Sequence, residues 1–228
     1  IKNRERFVHA EIIASEKNTG VSANANRGLH AAKGEWIKFL GADDTLKPRC
    51  IEDNMSFITS NPKIKALFSR IELYRDTFEA STFVKTIPID PFDQHSILAL
   101  GRSPLSQYKM LLTSDRIHFT PSVFLHRETL ISLGGYDERF PMLEDYPLWL
   151  KLTRNGHKLF FLDKVTVNYH QHSNAINNTG SSHLINPNYF ENENFRTLCT
   201  YPFLPVDKRL EQRFTWFASQ IFRFSRFN

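Results

Sequence analysis

The chain has 228 residues, 41% of them hydrophobic, with 20 phenylalanines and a formal net charge of +5. That suits one globular domain, or one domain with an extension, whose partners are anionic: nucleotide phosphates or a lipid surface, with no motif that would favour nucleic acid. Cys50 and Cys199 lie far apart without C-x-x-C spacing, and no apolar run reaches membrane-spanning length; this argues against a zinc site, a disulfide framework and a span, and for a reducing cytoplasm.

In chain order, residues 2–7 are charged and read as an exposed helix end, and Ile12, Ile13 and Ala14 as a short buried strand. From Asn18 to Asp44 the pattern is a glycine turn, a helix, a second glycine, an apolar strand and two adjacent carboxylates. Val21, Ala25, Leu29 and Ala32 recur at helical spacing, Gly34 stands where such a helix stops, and Trp36, Ile37, Phe39 and Leu40 form the strand. Asp43 and Asp44 thereby fall beyond a strand's carboxyl end, where open α/β sheets keep their ligands. Leu46 and Pro48 open a helix with Ile51, Met55 and Ile58 inward, stopped at Asn61-Pro62.

Residues 64–74 alternate as a strand with Ala66, Phe68 and Ile71 inside, and 76–94 form a loop or a pair of short edge strands. A short helix over 105–112 precedes a strand over 117–126 that is irregular at Thr120-Pro121-Ser122. Residues 127–133 make one or two helical turns ended by Gly134-Gly135. A helix opens at Asp145 as its N-cap, carries Leu148, Trp149, Leu150 and Leu152, and is closed by Gly156. Two strands follow at 159–162 and 165–169, and then a polar loop over 173–188. Helices over 189–198 and 206–227 end the chain; the second has Leu210, Phe214, Phe217, Ile221 and Phe224 on one face. Such a stripe usually packs inward. With Arg213, Arg223 and Arg226 it would also suit an anionic membrane.

Two blocks of this chain resemble family 2 glycosyltransferases, GT-A enzymes that move a sugar from a nucleotide diphosphate to an acceptor. The family pattern N-x-G-x-S-x-A-R-N-x-G, then A-x-G-E-(Y/W)-I-x-F-L-D-A-D-D, is met by Asn18, Gly20, Ser22, Asn26, Gly28, Ala32, Gly34, Glu35, Trp36, Ile37, Phe39, Leu40, Ala42, Asp43 and Asp44. The acceptor half, G-G-(F/Y)-D-E, then E-D-(Y/F)-x-L-W-x-(R/K)-L and Y-R-x-H, is met by Gly134, Gly135, Tyr136, Asp137, Glu138, Glu144, Asp145, Tyr146, Leu148, Trp149, Lys151, Leu152, Tyr169 and His172. Two positions depart: Asn24-Ala25 replaces the Ala-Arg pair, and Gly41 replaces the first Asp of D-x-D.

The resemblance implies an α/β fold of the GT-A, Rossmann-like kind: a mixed sheet flanked by helices, N-terminally truncated because the family's opening strands do not precede Asn18, with C-terminal helices. Residues 1–172 would be the GT-A domain, and 173–228 a flexible loop and helical extension. The implied reaction is inverting, metal-dependent transfer to a glycan or lipid-linked acceptor, as in bacterial surface polysaccharide synthesis, in the cytoplasm or at the inner membrane face.

Carried over by position, Asp43 is the metal ligand, Asp44 joins it or caps the next helix, and His172 is a third ligand or a diphosphate contact, with Mn or Mg as the ion. Asn18, Gly20, Asn26 and Ala42 fall to the nucleotide-sugar donor, although a cap and a tight turn explain the first three equally well. Asp145 is the general base, or only the N-cap of its helix. Glu144 and Trp149 fall to the acceptor, Trp149 alternatively to the core. Gly41 and the absent opening strands also suit a catalytically inactive nucleotide-sugar or glycan binding module. A glycoside hydrolase would use two carboxylates as well, without a metal-binding pair beside a glycine turn.

Overall fold

The computed structural model describes residues 8–171 and 187–224. Its elements are α1 (Val21–Ala31), β1 (Trp36–Lys38), β2 (Thr45–Leu46), α2 (Cys50–Thr59), β3 (Ala66–Arg75), β4 (Phe83–Ile87), α3 (Pro104–Thr113), β5 (Phe124–His126), α4 (Arg127–Ser132), α5 (Asp145–Arg154), β6 (Leu159–Gln171), α6 (Pro187–Cys199) and α7 (Val206–Phe224). The strands form one mixed sheet in the order β1-β5-β3-β6-β2, with β4 also paired to β3. Among the described strands only β3 and β6 run parallel, in register from Ala66↔Leu159 to Arg75↔Gln171. On the other side of β3, β5 takes Ala66 and Leu67 while β4 takes Ile71 to Tyr74.

β3 is central because its first residues are apolar or small on both faces: Ala66, Leu67, Phe68 and Ser69 are all buried. Trp149 of α5 sits against Phe68 at 4.8 Å between ring centroids and is fully buried. Phe195 of α6 packs between Phe140 and Tyr146, at 5.2 and 4.8 Å. With Tyr201 and Leu204 it belongs to the main core, so the helical segment after 187 is built into the same packing unit as the sheet.

Several local expectations need correction. No strand forms over 12–14; Ile12 is 79% exposed, and three apolar residues without a neighbouring strand have nothing to pair with. The inward face of α2 is Cys50, Asn54 and Ile58, while Ile51 and Met55 are exposed, because the helix starts after Pro48 rather than at Leu46, which pairs with Val167 instead. The segment 117–126 is a strand only from Phe124, since Thr120–Ser122 winds into a 3₁₀ turn. The two strands expected over 159–169 are one, β6, whose register against β3 shifts near Ser69 and Arg70. Leu210 and Phe214 of α7 are 61% and 73% exposed, so the first turns of that stripe do not pack inward. The polar segment 173–186 and His172 lie outside the described residues.

Candidate active site

After β1 the chain turns back through Gly41, whose carbonyl accepts the Asp44 N–H at 3.2 Å, and enters β2. Ala42 and Asp43 are exposed, whereas Asp44 is buried. The Asp44 Oδ1 accepts the backbone N–H of His170 at 2.9 Å, which pins the turn to β6. Burial raises the Asp44 pKa above the usual carboxylate value, and the neighbouring Asp43 charge acts in the same direction. Asp44 does not cap α2: Arg49 holds the cap position, and no side chain closes it.

Asp43 and Asp44 present hard oxygen donors with Asp43 open to solvent, and this donor set fits a Mg or Mn ion completed by diphosphate oxygens and water. Among the described residues no three His, Cys, Asp or Glu side chains converge as a metal cage; His172, the third ligand expected from the sequence, lies outside them.

Beside Asp44, on β1, the Lys38 ammonium is sunk into the fold. It donates to the Pro121 carbonyl and, at 3.2 Å, to the Val123 carbonyl. Burial draws its pKa down to about 8, against the opposing pull of Cys50 and Asp44. One of these carbonyls, that of Pro121, lies within the 3₁₀ turn Thr120–Ser122 and the other, that of Val123, caps it; the first residue of the turn, Thr120, donates its hydroxyl to Asp145 Oδ2 at 2.8 Å. One short turn is therefore tied to both Lys38 and Asp145.

Asp145 is the first residue of α5; Glu144 occupies the cap position, without a side-chain capping bond. The N-cap role expected of Asp145 is thus displaced by one residue, and its carboxylate is set by Thr120 and by the Tyr146 N–H at 2.6 Å. Glu144 is partly buried, and its carboxyl is pushed up to about 7 by burial first and then by the charges of Asp145 and Glu191. A third carboxyl that sequence reading passed over, Asp115, is pushed up to about 6 by burial and by Asp145. Its Oδ1 accepts the Ile117 N–H at 3.0 Å. No motif marks Asp115; only the chain path brings it to Asp145.

The donor-half residues turn out to be braces as well. Asn18 Oδ1 accepts the Gly20 N–H at 3.0 Å, and Gly20, at φ +88°, packs against Pro141 so closely that a Cβ would collide with it. The Pro141 carbonyl accepts the Val21 and Ser22 N–H groups at the start of α1. Asn26 is buried, its Oδ1 accepting the Tyr136 N–H at 2.8 Å and its Nδ2 donating to the Tyr136 carbonyl and Glu138 at 3.0 and 2.8 Å. Both amide atoms hold the Gly135-Tyr136 segment against α1. Trp149, expected at the acceptor, has no exposed surface and belongs to the core, because the inward face of α5 carries it under the sheet.

The Glycosyl transferase family 2 model matches residues 2–113. The amylovoran biosynthesis glycosyltransferase AmsB of Erwinia amylovora is 25% identical over 191 residues, covering 76% of this chain and 58% of that protein. A UDP-Gal:alpha-D-GlcNAc-diphosphoundecaprenol beta-1,3-galactosyltransferase of Escherichia coli is 26% identical over 158 residues, covering 68% and 51%. The chain spans about half the length of the curated relatives it matches. Among solved structures, S. aureus TarS 1-349 in complex with UDP-GlcNAc gives a TM-score of 0.52 at 17% identity, over 92% of this chain and 54% of TarS. That likeness speaks to the fold, and the sheet order carrying both motif blocks agrees with it. With the family match added to these two blocks, the chain belongs to glycosyl transferase family 2 and has its GT-A fold.

Proposed function

We propose that this chain transfers a sugar from a nucleotide-diphosphate donor to a glycan or lipid-linked acceptor, with inversion, in the synthesis of a bacterial surface polysaccharide. The observation that carries the reading is the Thr120–Pro121 turn, which orients Asp145 through one residue and accepts from Lys38, on the strand before Asp43 and Asp44, through the next. Such an arrangement keeps a base and a cation-binding pair in fixed relation, as a transfer between two bound substrates requires.

In this reading Asp43, with Asp44 behind it, holds a divalent ion, which supplies Lewis-acid neutralisation of the diphosphate leaving group. Asn18, Gly20 and Ala42 border the donor. Asp145 takes the proton from the acceptor hydroxyl as it attacks in line. Thr120 fixes the direction in which that carboxylate points. Glu144, held near neutrality, is able both to donate to and to accept from sugar hydroxyls. The exposed stripe of α7 would rest on anionic lipid at the inner membrane face, where a lipid-linked acceptor is presented; among the described residues no helix is long and apolar enough to cross a membrane.

The test is a calorimetric titration of UDP-, GDP- and dTDP-sugars, with and without Mn, into the chain and into Asp43→Ala, followed by turnover assays of Asp145→Asn. Metal-dependent binding of one donor that Asp43→Ala loses, with binding kept and turnover lost in Asp145→Asn, is expected. Donor binding indifferent to Asp43, or undiminished turnover in Asp145→Asn, overturns the assignment. Donor binding with no turnover in the unaltered chain favours the inactive module that Gly41 suggests.

A further inference from the structure

At the carboxyl ends of β3 and β6, next to Asp44, three strands present a row of rings. The register sets His170 of β6 opposite Tyr74 of β3, and Tyr74 opposite Phe83 of the edge strand β4. Residues paired in this way project from the same face of a sheet. Phe78, in the connection between β3 and β4, closes on the row at 5.5 Å from Tyr74 and 5.8 Å from His170, and Tyr74 lies 5.7 Å from Phe83. Phe78 and Phe83 are 37% and 44% exposed. The backbone of His170 is the group that pins Asp44, so the row borders the candidate metal carboxylates.

Two residues back along β3 and β6, and past the bulge on β4, the same face is polar. Glu72 stands opposite Asn168 on one side and Thr86 on the other, and Asn168 stands opposite Thr45. Glu72 accepts from the Tyr74 hydroxyl at 2.8 Å and from Lys47 at 2.6 Å. This end of the sheet therefore offers aromatic surface and hydrogen-bonding groups in adjoining rows.

We propose that this face is a glycan subsite, holding pyranose units of the acceptor that lie beyond the attacked hydroxyl; the assignment to the acceptor rests on the transferase reading above. A pyranose ring carries weakly positive C–H groups that suit the negative face of an aromatic ring. Its rim of hydroxyls both donates and accepts, matching a carboxylate, an amide, two threonine hydroxyls and an ammonium. A purely apolar partner would strip water from Glu72, Lys47 and Asn168 and return no hydrogen bonds, which is costly. The face thus fits a ligand that is apolar and hydroxylated within a few ångströms.

The test uses the chain with Phe78→Ala/Phe83→Ala and with Phe83→Trp, and probes it with cellohexaose, chitohexaose and maltohexaose by saturation-transfer NMR and calorimetry. At least one hexasaccharide is expected to bind, about tenfold more weakly in the double alanine variant and undiminished in Phe83→Trp. Both side chains are exposed, so the unfolding midpoint and Mn-dependent donor binding should stay unchanged. Failure of all three saccharides to bind, or equal binding by the double variant, overturns the subsite. So does a double variant whose only defect is lost binding to phosphatidylglycerol vesicles or lost self-association in sedimentation, which would assign the face to lipid or to a second copy. Glycan binding without any donor binding would overturn the transferase reading and leave the subsite standing.

Discussion

Replacing Glu144 with glutamine is expected to stabilise the protein at pH 8 and, at pH 5, by only about a quarter as much. In the folded chain this carboxyl is pushed from 4.5 up to about 7, by burial first and by Asp145 and Glu191 next. A group whose folded pKa is raised holds its proton more tightly in the native state. Its contribution to stability is complete below the unfolded value and is lost as pH rises through the folded one, between roughly 4.5 and 7. A shift of about 2.5 units corresponds to roughly 3 kcal/mol, and discounting for partial exposure leaves about 2 kcal/mol. Glutamine keeps the shape and removes the charge, so about that much returns at pH 8. Asp115, pushed up to about 6, titrates with the same sign, but it is present in both proteins and largely cancels in the comparison. Urea denaturation at pH 5 and pH 8, at one ionic strength, measures the difference. An equal effect at the two pH values, or a loss of stability at pH 8, would refute the claim that burying this charge costs the fold anything. Where Glu144 binds sugar hydroxyls, the more stable variant should also be the less active one.

Four other outcomes are expected. Asn26→Ala should lose about 2 to 4 kcal/mol in denaturant unfolding, because it leaves the Tyr136 N–H and carbonyl without their partners in a buried setting. Thr120→Val should lower kcat by roughly tenfold or more while donor affinity in calorimetry holds, since a hydrogen bond to a charged group is worth about 1.5 to 3 kcal/mol and this one reaches only Asp145. Gly41→Ala should weaken Mn binding severalfold and leave the unfolding midpoint in place: a Cβ there stands 2.8 Å from Asp43 Oδ1 and 3.1 Å from Asp44 Oδ2, so the carboxylates must move and the core need not. Leu210→Ser/Phe214→Ser should abolish co-sedimentation with phosphatidylglycerol vesicles and spare the fold; unchanged sedimentation would remove the membrane role from α7.

The sequence disclosed what depends on short-range pattern. Gly20 and Gly135 sit at positive φ, α1 and α5 begin within a residue of their expected starts, and Asp43 and Asp44 lie past the end of β1 as the spacing required. What it hid depends on which segments meet. Asn26 falls by its motif position to the donor, or to a cap or turn, yet its partners Tyr136 and Glu138 are more than 100 positions away. Asp115 has no motif and becomes notable only because the path after α3 brings it to Asp145. Trp149, conspicuous inside a family motif, proves to be core because α5 turns that face toward Phe68. The segment 76–94 could be narrowed to a loop or edge strands, but the pairing of β4 with the far half of β3 is a choice made by the sheet, whose near half is already taken by β5.

Lys38 links these two levels. In the sequence it interrupts an apolar strand, where a lysine would ordinarily point to solvent. In the fold it stands opposite Phe124 in the β1–β5 pair, and its ammonium turns beneath the neighbouring turn. Burying that charge is made tolerable by the two carbonyls that accept from it. Removing it would leave the Pro121 and Val123 carbonyls without their donor and withdraw a positive charge that favours the ionised form of Asp44. The same turn carries Thr120, so a change at Lys38 reaches Asp145 through one residue. Lys38 of β1 and Asp145 at the start of α5 are thus tied to one 3₁₀ turn that runs directly into β5. Side chains that must cooperate at a fixed distance are held best in this way.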